Sequence, residues 1–296
     1  MSDIGVEAAE LLPANAAGTR FGWLRQIGHS KVAIFGIAIL AFWIFVGIAA
    51  PWIAPFPPNQ TVRPMTSPGA LAPNGAVFWF GTDHLGRDIL SRVIWGTRTV
   101  LVYAPLATAL SFAVGVSGGL LAGYRRGWLD ELLSRLSDLV LAFPALVLYI
   151  IIVSKFGASG LNIVLAVTLA SSPGIMRLTR GLTLALRDRA FVAAAQLRGE
   201  PAWRIMFIEI LPNAAGPLIV DACLRLGYVV ITIGTLGFLG LGLPPPDPDW
   251  GSMVNETRKF ALVFPHMVLF PCLAVSSLVL GLNLLADGLR ELVTQE

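Results

Sequence analysis

The sequence predicts an all-α membrane protein with about six transmembrane helices. Of its 296 residues, 55% are hydrophobic and only 13% are charged, whereas an ordinary soluble domain is about 25% charged. The apolar residues form runs of about 20, the length that a helix needs to cross a bilayer. Backbone polar groups in lipid must be bonded within their own segment, and no stretch alternates as a barrel strand would, so these runs are predicted to be helices.

Six apolar runs are long enough to serve as spans. Pro51 ends the first run, Pro144 is an expected kink inside the third, and the fourth is on the short side. The fifth is long enough to tilt in the membrane. In chain order the predicted spans are 32–50, 99–124, 136–153, 161–176, 214–241 and 264–285.

The connecting segments predict the orientation of the chain. Thirteen lysines and arginines lie in the links and tails on one side of the spans and seven on the other, so the positive-inside rule places both termini in the cytosol. The expected parts are a cytosolic N-terminal tail 1–31, a first helix 32–50, an external loop 51–98, a five-helix core 99–285 and a cytosolic C-terminal tail 286–296.

A cytosolic segment between the fourth and fifth spans has the composition of ordered structure. Ala190–Leu197 is predicted to be a short helix that Gly199 stops, and Pro201 is predicted at the first position of a second short helix that closes at Pro212. Long connections in a compact protein usually carry function or are disordered. We therefore expect a functional helix–turn–helix bracket in the cytosol.

Two ionisable residues interrupt the fifth apolar run. Asp221 and Arg225 are four residues apart and therefore share one helix face. Such groups are costly in lipid and often mark a substrate path. Two interpretations stay open: a mutually neutralising pair buried in the bundle, or a polar patch that lines a translocation cavity.

Glycines recur at every fourth position of the second run, at Gly115, Gly119 and Gly123. This small-xxx-small pattern allows two helix backbones to touch. It favours packing within the chain, and the alternative is a sliding surface against a partner subunit.

No residue pattern predicts a catalytic centre or a metal site. The chain has no GxxxxGK[ST] loop and no HExxH, and its three histidines lie in separate segments. The basic residues sit between apolar runs, unlike those of a nucleic-acid-binding protein. A short turn at Ser159, with His266 as a partner, leaves an intramembrane serine protease as a minor alternative. A secondary transporter is another, although the internal repeats it would need are not seen.

The cytosolic segment carries a recognisable pattern. Residues 187–219 read RDRAFVAAAQLRGEPAWRIMFIEILPNAAGPLI and resemble the EAA loop of binding-protein-dependent ABC permeases. The family's Glu is replaced by Ala193, and Glu209 stands where the family has a hydrophobic residue. The matching residues are Ala194, Ala195, Gly199, Leu211, Pro212 and Asn213.

Three further strings resemble the C-type permeases of dipeptide, oligopeptide and nickel importers. Residues 282–290 resemble their C-terminal end, and residues 238–251 resemble their external FLGLG…PxWG motif. Residues 80–88 read FGTDHLGRD, like the FGTDxxGRD segment before their second span. The motif residues of that external segment are Gly81, Thr82, Asp83, Gly86, Arg87 and Asp88.

The resemblance implies the architecture of a type I ABC importer permease, multi-pass in the bacterial inner membrane, with 51–98 in the periplasm. It implies that the segment 187–213 couples the spans to an ATPase. The chain itself would be non-catalytic and bind no cofactor, with ATP-Mg held by the partner ATPases. The coupling residues that the resemblance implies are Ala193, Ala194, Ala195, Arg198, Gly199, Glu200 and Arg204.

The resemblance also implies the rest of the assembly. The partners would be a second homologous permease, two cytosolic ATPases, a periplasmic or lipid-anchored substrate-binding protein and membrane lipid, with no nucleic acid. The expected cargo is a di- or oligopeptide. Nickel or another small solute is the alternative within the same family, and a nickel path would favour histidine or carboxylate ligands, of which the spans offer few.

Overall fold

The computed structural model of the chain describes residues 30–244 and 247–294, and it confirms an all-α membrane fold. The expected N-terminal tail lies outside the described residues up to residue 29. The helices are α1 Lys31–Ile53, α2 Ile89–Arg125, α3 Trp128–Leu141, α4 Ala145–Phe156, α5 Gly160–Arg187, α6 Ala190–Leu197, α7 Ala202–Arg204, α8 Leu211–Asn213, α9 Ala215–Phe238, α10 Trp250–Thr257 and α11 His266–Thr294.

The number of spans agrees with the prediction of about six. Within the described residues α1, α2, α5, α9 and α11 are each long and apolar enough to cross a membrane, and the pair α3 and α4 supplies a sixth span if it is counted as one. The pair is bent by 82°. The third predicted span is therefore not one kinked helix but two helices. Pro144 causes the break, since it lacks an N–H and restricts the residue before it, so it caps α4 instead of continuing α3.

Two spans are longer than the hydropathy predicts. Helix α2 begins at Ile89, ten residues before the predicted start at 99, and α5 continues to Arg187, past the predicted end at 176. In both extensions arginines lower the hydropathy, but acidic partners neutralise Arg92, Arg177 and Arg180. Arg180 at the end of α5, for example, makes a two-pronged ion pair with Asp130 of α3.

The first and last helices also extend beyond the predicted spans. Helix α1 starts where the Ser30 side chain accepts a hydrogen bond from the Ala33 N–H at 3.3 Å, and it passes through Pro51 to Ile53. Helix α11 continues to Thr294, so that most of the segment expected as a C-terminal tail is helical.

The connection between α5 and α9 forms the predicted bracket. Helix α6 has the predicted bounds, and Gly199 takes φ +74° just beyond it, which stops the helix. Pro201 directly precedes α7, whereas the prediction placed it at the first position of the helix. A π-helix, Ile205–Ile210, joins α7 to α8, and its wider turn was not visible in the sequence.

The segment between α1 and α2 is ordered without being helical. Strand β1 (Ala70–Leu71) pairs antiparallel with β2 (Val77–Phe78) in a small ribbon. Phe56 stacks on Phe78 with ring centroids 5.0 Å apart, and both are buried under the ribbon. This gives the loop its own small apolar core.

The glycine row of α2 packs against α5 of the same chain. A Cβ on Gly119 would lie 2.5 Å from Thr179 Cβ, one on Gly115 2.6 Å from Ile175 Cβ, and one on Gly123 2.7 Å from Thr183 Cβ. No real Cβ tolerates such distances, so the two backbones touch only because these residues are glycines. Packing within the chain is therefore the correct interpretation of the pattern.

We predict that Gly119→Ala destabilises the protein by about 1–3 kcal/mol, the usual cost of overpacking, because the rigid backbone of α5 cannot give way. Gly118→Ala is the matched control, since its Cβ would meet only the flexible Met176 side chain at 3.4 Å. The measurement is the midpoint of thermal unfolding in detergent. Equal midpoints for the two variants would contradict the close contact.

Candidate functional site

Two ends of the bundle carry most of the residues that the sequence singled out. We call the end with residues 54–88 and α10 the loop face, and the end with residues 188–214 the bracket face. The chain runs from the bracket face along α1 to the loop face and returns along α2. The polar pair of the fifth span lies between these two faces.

Asp83 organises the loop face. Its Oδ1 accepts hydrogen bonds from the N–H groups of Leu85 and Arg87, both at 2.9 Å, and its Oδ2 accepts one from Arg87 Nε at 2.6 Å. Thr82 donates its hydroxyl to the Arg63 carbonyl at 2.6 Å and accepts from the Thr66 N–H at 2.9 Å. The motif at residues 80–88 therefore ties the loop to the start of α2.

The two arginines of this region connect the motif to α10. Arg87 Nη2 donates to Glu256 Oε2. Arg92 lies 3.6 Å from both Asp83 Oδ2 and Glu256 Oε2, and it is only 4% exposed. Breaking one member of such a buried network leaves an uncompensated charge, which is strongly destabilising. The loop and α10 are consequently held as one body.

Gly81 and Gly86 are required by the backbone of the motif. Their φ angles are +76° and +83°, a region that other residues rarely adopt. A Cβ on Gly81 would also strike the Thr66 carbonyl oxygen, and one on Gly86 would lie 3.0 Å from the backbone of Arg63 and Pro64. These glycines are structural.

Two buried aspartates start the helices that meet at the loop face. Asp88 caps α2 by accepting from the Ser91 N–H at 2.8 Å, and Asp249 caps α10 by accepting from the Ser252 N–H at 3.0 Å. Burial raises the pKa of both carboxyls, against the lowering effect of these hydrogen bonds. Gly237 and Gly242 leave room for the Asp249 side chain, which explains why the FLGLG and DWG strings occur together.

The bracket sits on an apolar base at the other end. Val192, Ala195 and Ile205 are buried against residues of α2, α5 and α9 such as Leu120 and Leu182. Of the predicted coupling residues, Ala195 belongs to this base, and Glu200 is half-buried. The exposed ones are Ala193, Ala194, Arg198, Gly199 and Arg204.

The charged residues of the bracket pair with one another. Arg198 Nε donates to Glu200 Oε1 at 2.8 Å, and Arg204 Nε lies 3.8 Å from Glu200 Oε2. Arg198 Nη2 also lies 3.8 Å from Glu209 Oε1. The acidic residue at 209, where similar loops have a hydrophobic one, therefore serves as a partner for Arg198.

Apolar side chains at the tip of the bracket were missed by the sequence reasoning. Leu197 is 90% exposed and Trp203 is 60% exposed, on either side of the Gly199 turn. A large exposed apolar patch often marks a surface that contacts another protein. The signal was available, since Leu197 is the last residue of α6 before its glycine stop.

Asp221 and Arg225 form the pair that their spacing predicts. Arg225 Nε donates to Asp221 Oδ2 at 2.6 Å, and both side chains are about a quarter exposed. The guanidinium faces α5, where a Cβ on Gly174 would lie 3.2 Å from Arg225 Nη2. The pair neutralises itself, yet it is not enclosed by the described part of the chain.

The pair belongs to a polar face that runs the length of α9. Tyr228, Thr232 and Thr235 continue from Asp221 and Arg225 at spacings of three and four residues, so all five share one side of the helix. Tyr228 is 68% exposed. The hydroxyl of Tyr149 on α4 interacts with the side chains of Ser171 on α5 and Thr232. A polar side on a membrane helix faces water or protein rather than lipid.

Ser159 and His266 show no catalytic arrangement. Ser159 Oγ caps α5 by accepting from the Asn162 N–H at 3.2 Å. The His266 ring packs beside Gly81 and Phe264 on the loop face. Neither contact joins the two side chains.

Comparison with known families gives two matches that together cover most of the chain. Residues 115–296 match the model of the binding-protein-dependent transport system inner membrane component. Residues 23–73 match the N-terminal transmembrane domain of oligopeptide transport permease C. The first match includes the bracket, α9 and α11.

Individual relatives are similar over most of the chain. The dipeptide transport system permease protein of Alkalihalophilus pseudofirmus is 38% identical over 267 residues, 90% of this chain and 86% of the relative. The di/tripeptide transport system permease protein of Pseudomonas aeruginosa is 38% identical over 90% of this chain and 89% of its own. The glutathione transport system permease protein of Pectobacterium atrosepticum is 42% identical over 72% of this chain and 71% of its own.

We predict that Asp83→Asn loosens the loop face, because Arg87 and Arg92 then lose a shared carboxylate in a buried site, at a cost of about 3–5 kcal/mol. Limited proteolysis with proteinase K measures this as faster cleavage within residues 54–88. Asp247→Asn is the matched control, since Asp247 is exposed on the same face. Indistinguishable cleavage rates for the two variants would rule out the role given to Asp83.

Proposed function

The chain belongs to the family of binding-protein-dependent transport system inner membrane components, and on that premise we propose that it forms one half of the membrane path by which an ABC importer takes up di- or oligopeptides. It is a non-catalytic permease subunit. A second homologous permease supplies the other half of the path, and two cytosolic ATPases bind ATP-Mg beneath them.

The bracket face is cytosolic in this proposal, and both termini with it. Support comes from the excess of lysine and arginine in the segments of that side. The loop face then lies in the periplasm, where a binding protein delivers the cargo. The rigid union of residues 54–88 with α10 offers that protein a fixed docking surface.

The bracket is proposed to couple the spans to an ATPase. Ala193 and Ala194 present a small, flat side of α6, and Leu197 and Trp203 project beside the Gly199 turn. Small residues permit close approach, and exposed apolar residues supply burial energy on docking. The buried base under Val192, Ala195 and Ile205 passes a displacement of the bracket to α2, α5 and α9 as one packed unit.

The polar face of α9 is proposed to line the path. This face is the single observation on which the placement of the path depends. A peptide carries opposite charges at its ends and polar amides between them, and Asp221, Arg225 and the hydroxyls of Tyr228, Thr232 and Thr235 offer both kinds of partner. Exchange between inward- and outward-open states requires that ATP and cargo bind the two states with different affinity, by a few kcal/mol.

The peptide cargo is supported by the relatives. Those described above are named for the transport of dipeptides, di- and tripeptides, and glutathione, and glutathione is itself a tripeptide. All three cargoes are small, zwitterionic and rich in amide groups. The proposed path suits this shared chemistry.

The proposal is tested by purifying the tagged chain in mild detergent and identifying the proteins that accompany it by mass spectrometry. We expect a second multi-span permease and ATPase subunits, and uptake of labelled di- and tripeptides by the reconstituted complex that depends on ATP. A chain that purifies alone, or uptake without ATP, would overturn it.

We predict that Leu197→Asp uncouples the importer, because a carboxylate replaces the most exposed apolar side chain of the docking tip. The ATPases should co-purify in amounts about ten-fold lower, corresponding to the loss of one buried leucine of ~1.5 kcal/mol. Leu71→Asp is the control, an exposed leucine on the loop face. Unchanged co-purification for Leu197→Asp would remove the tip from the interface.

We predict that the double variant Asp221→Ala/Arg225→Ala assembles normally but takes up peptide about ten-fold more slowly, the effect of one lost charge-assisted contact of ~1.5 kcal/mol. Because both charges are removed, no uncompensated charge is left to destabilise the protein. Slower uptake would therefore report on transport and not on stability. The measurement is initial uptake rate per assembled complex. Wild-type uptake by the double variant would mean that the pair is only structural.

A further inference from the structure

A lateral groove opens between α1 and α2, on a different side of the bundle from the polar face of α9. Its volume is about 540 Å³. Leu40, Ile44 and Ile48 of α1 form one wall, and Leu101, Val102 and Pro105 of α2 form the other. The groove exists because Gly47 and Ala104, which also line it, have almost no side chain.

The floor of the groove shows which side of α9 it uses. Leu226 and Val230 of α9 lie at its base, together with Leu278 and Leu282 of α11. Successive residues of an α-helix are rotated by about 100° about the helix axis. On α9, the direction midway between Leu226 and Val230 is therefore rotated by about 160° from the middle of the polar face. Helix α9 therefore has a polar side and, nearly opposite to it, an apolar side that forms part of the groove floor.

One charged residue lines the groove, and it stands toward the loop face. Arg98 lies about 14 Å along α2 from its start at Ile89, and its Cγ is 4.0 Å from where a Cβ on Gly47 would be. Its guanidinium stacks over the Trp95 ring at 5.2 Å, nearer the start of the helix. The Arg98 guanidinium thus reaches toward the membrane surface, while the methylene groups of the side chain lie along the groove.

The charge of Arg98 has no acidic partner in the part of the chain that the structure describes. Among residues 30–244 and 247–292, no carboxylate lies within ion-pair distance of its guanidinium, in contrast to Arg87 and Arg92 on the same helix entry. An unpaired cation at the mouth of an apolar groove is complementary to a molecule with an anionic head and a long apolar tail. A glycerophospholipid of the outer leaflet has that chemistry.

We propose that this groove is a specific phospholipid site, with the lipid phosphate on Arg98 and one acyl chain between α1 and α2. The apolar walls continue for about seven residues below Arg98, to Leu40 and Pro105, or about 10 Å of acyl chain. Ile44 and Ile48 of α1 and Val102 of α2 line the groove and are 48%, 67% and 57% exposed, so the groove opens on the outer surface of the bundle. The bound lipid fills the space between the first helix and the core and holds α1 against α2.

The test uses the full complex in lipid nanodiscs that contain a small fraction of a phosphatidylethanolamine with a diazirine in its acyl chain. After irradiation, cross-linked peptides are mapped by mass spectrometry. In the wild type we expect cross-links to concentrate on residues 40–48 and 101–105. In Arg98→Gln they should fall about five-fold, since a basic residue near the membrane surface contributes ~1 kcal/mol.

Two further variants make the outcome unambiguous. Val102→Trp fills the groove without changing charge and should give the same loss, whereas Arg63→Gln removes an exposed arginine of the loop face and should give none. Co-purification of the partner subunits verifies that each variant assembles. Cross-links spread evenly over the exposed sides of α1 and α2, no change in Arg98→Gln, or protection of the groove by another subunit would each overturn the proposal.

Discussion

Helices α2 and α5 approach closely enough for their backbones to touch along Gly115, Gly119 and Gly123. The bracket depends on this contact. The apolar base of the bracket is built from the ends of both helices, and the arginines at the end of α5 hold α3 through Asp130 and Asp138. If the two helices stood farther apart, the bracket would have no common base.

The loop face is held by the opposite means, a network of buried charges. Asp83, Arg87, Arg92 and Glu256 join a loop, the start of α2 and α10. Such networks cost desolvation energy and add little net stability, but the loss of one member leaves an uncompensated buried charge. The loop face and the bracket face are thus each held together internally, and continuous helices connect them.

Local chemistry made some features predictable. The bounds of α6 follow from Gly199 and the following proline, and the Asp221–Arg225 pair follows from two charges in an apolar run. The start of α2 and the end of α5 were missed because hydropathy counts Arg92 and Arg180 as polar. Their neutralising partners, Glu256 and Asp130, are distant in sequence, so the cost of burying them could not be judged. The break at Pro144 was foreseen as a kink, but its 82° angle was not.

The central claim is that the polar face of α9 borders an aqueous path while the groove side borders lipid. Cysteine accessibility tests it most directly, in a complex whose native Cys223 and Cys272 have been replaced by alanine. Tyr228 and Val102 are 68% and 57% exposed, so Tyr228→Cys and Val102→Cys differ chiefly in what surrounds them. A water-soluble, membrane-impermeant methanethiosulfonate reagent should modify Tyr228→Cys and leave Val102→Cys unmodified. Equal modification of the two, or modification of Val102→Cys alone, would contradict the account.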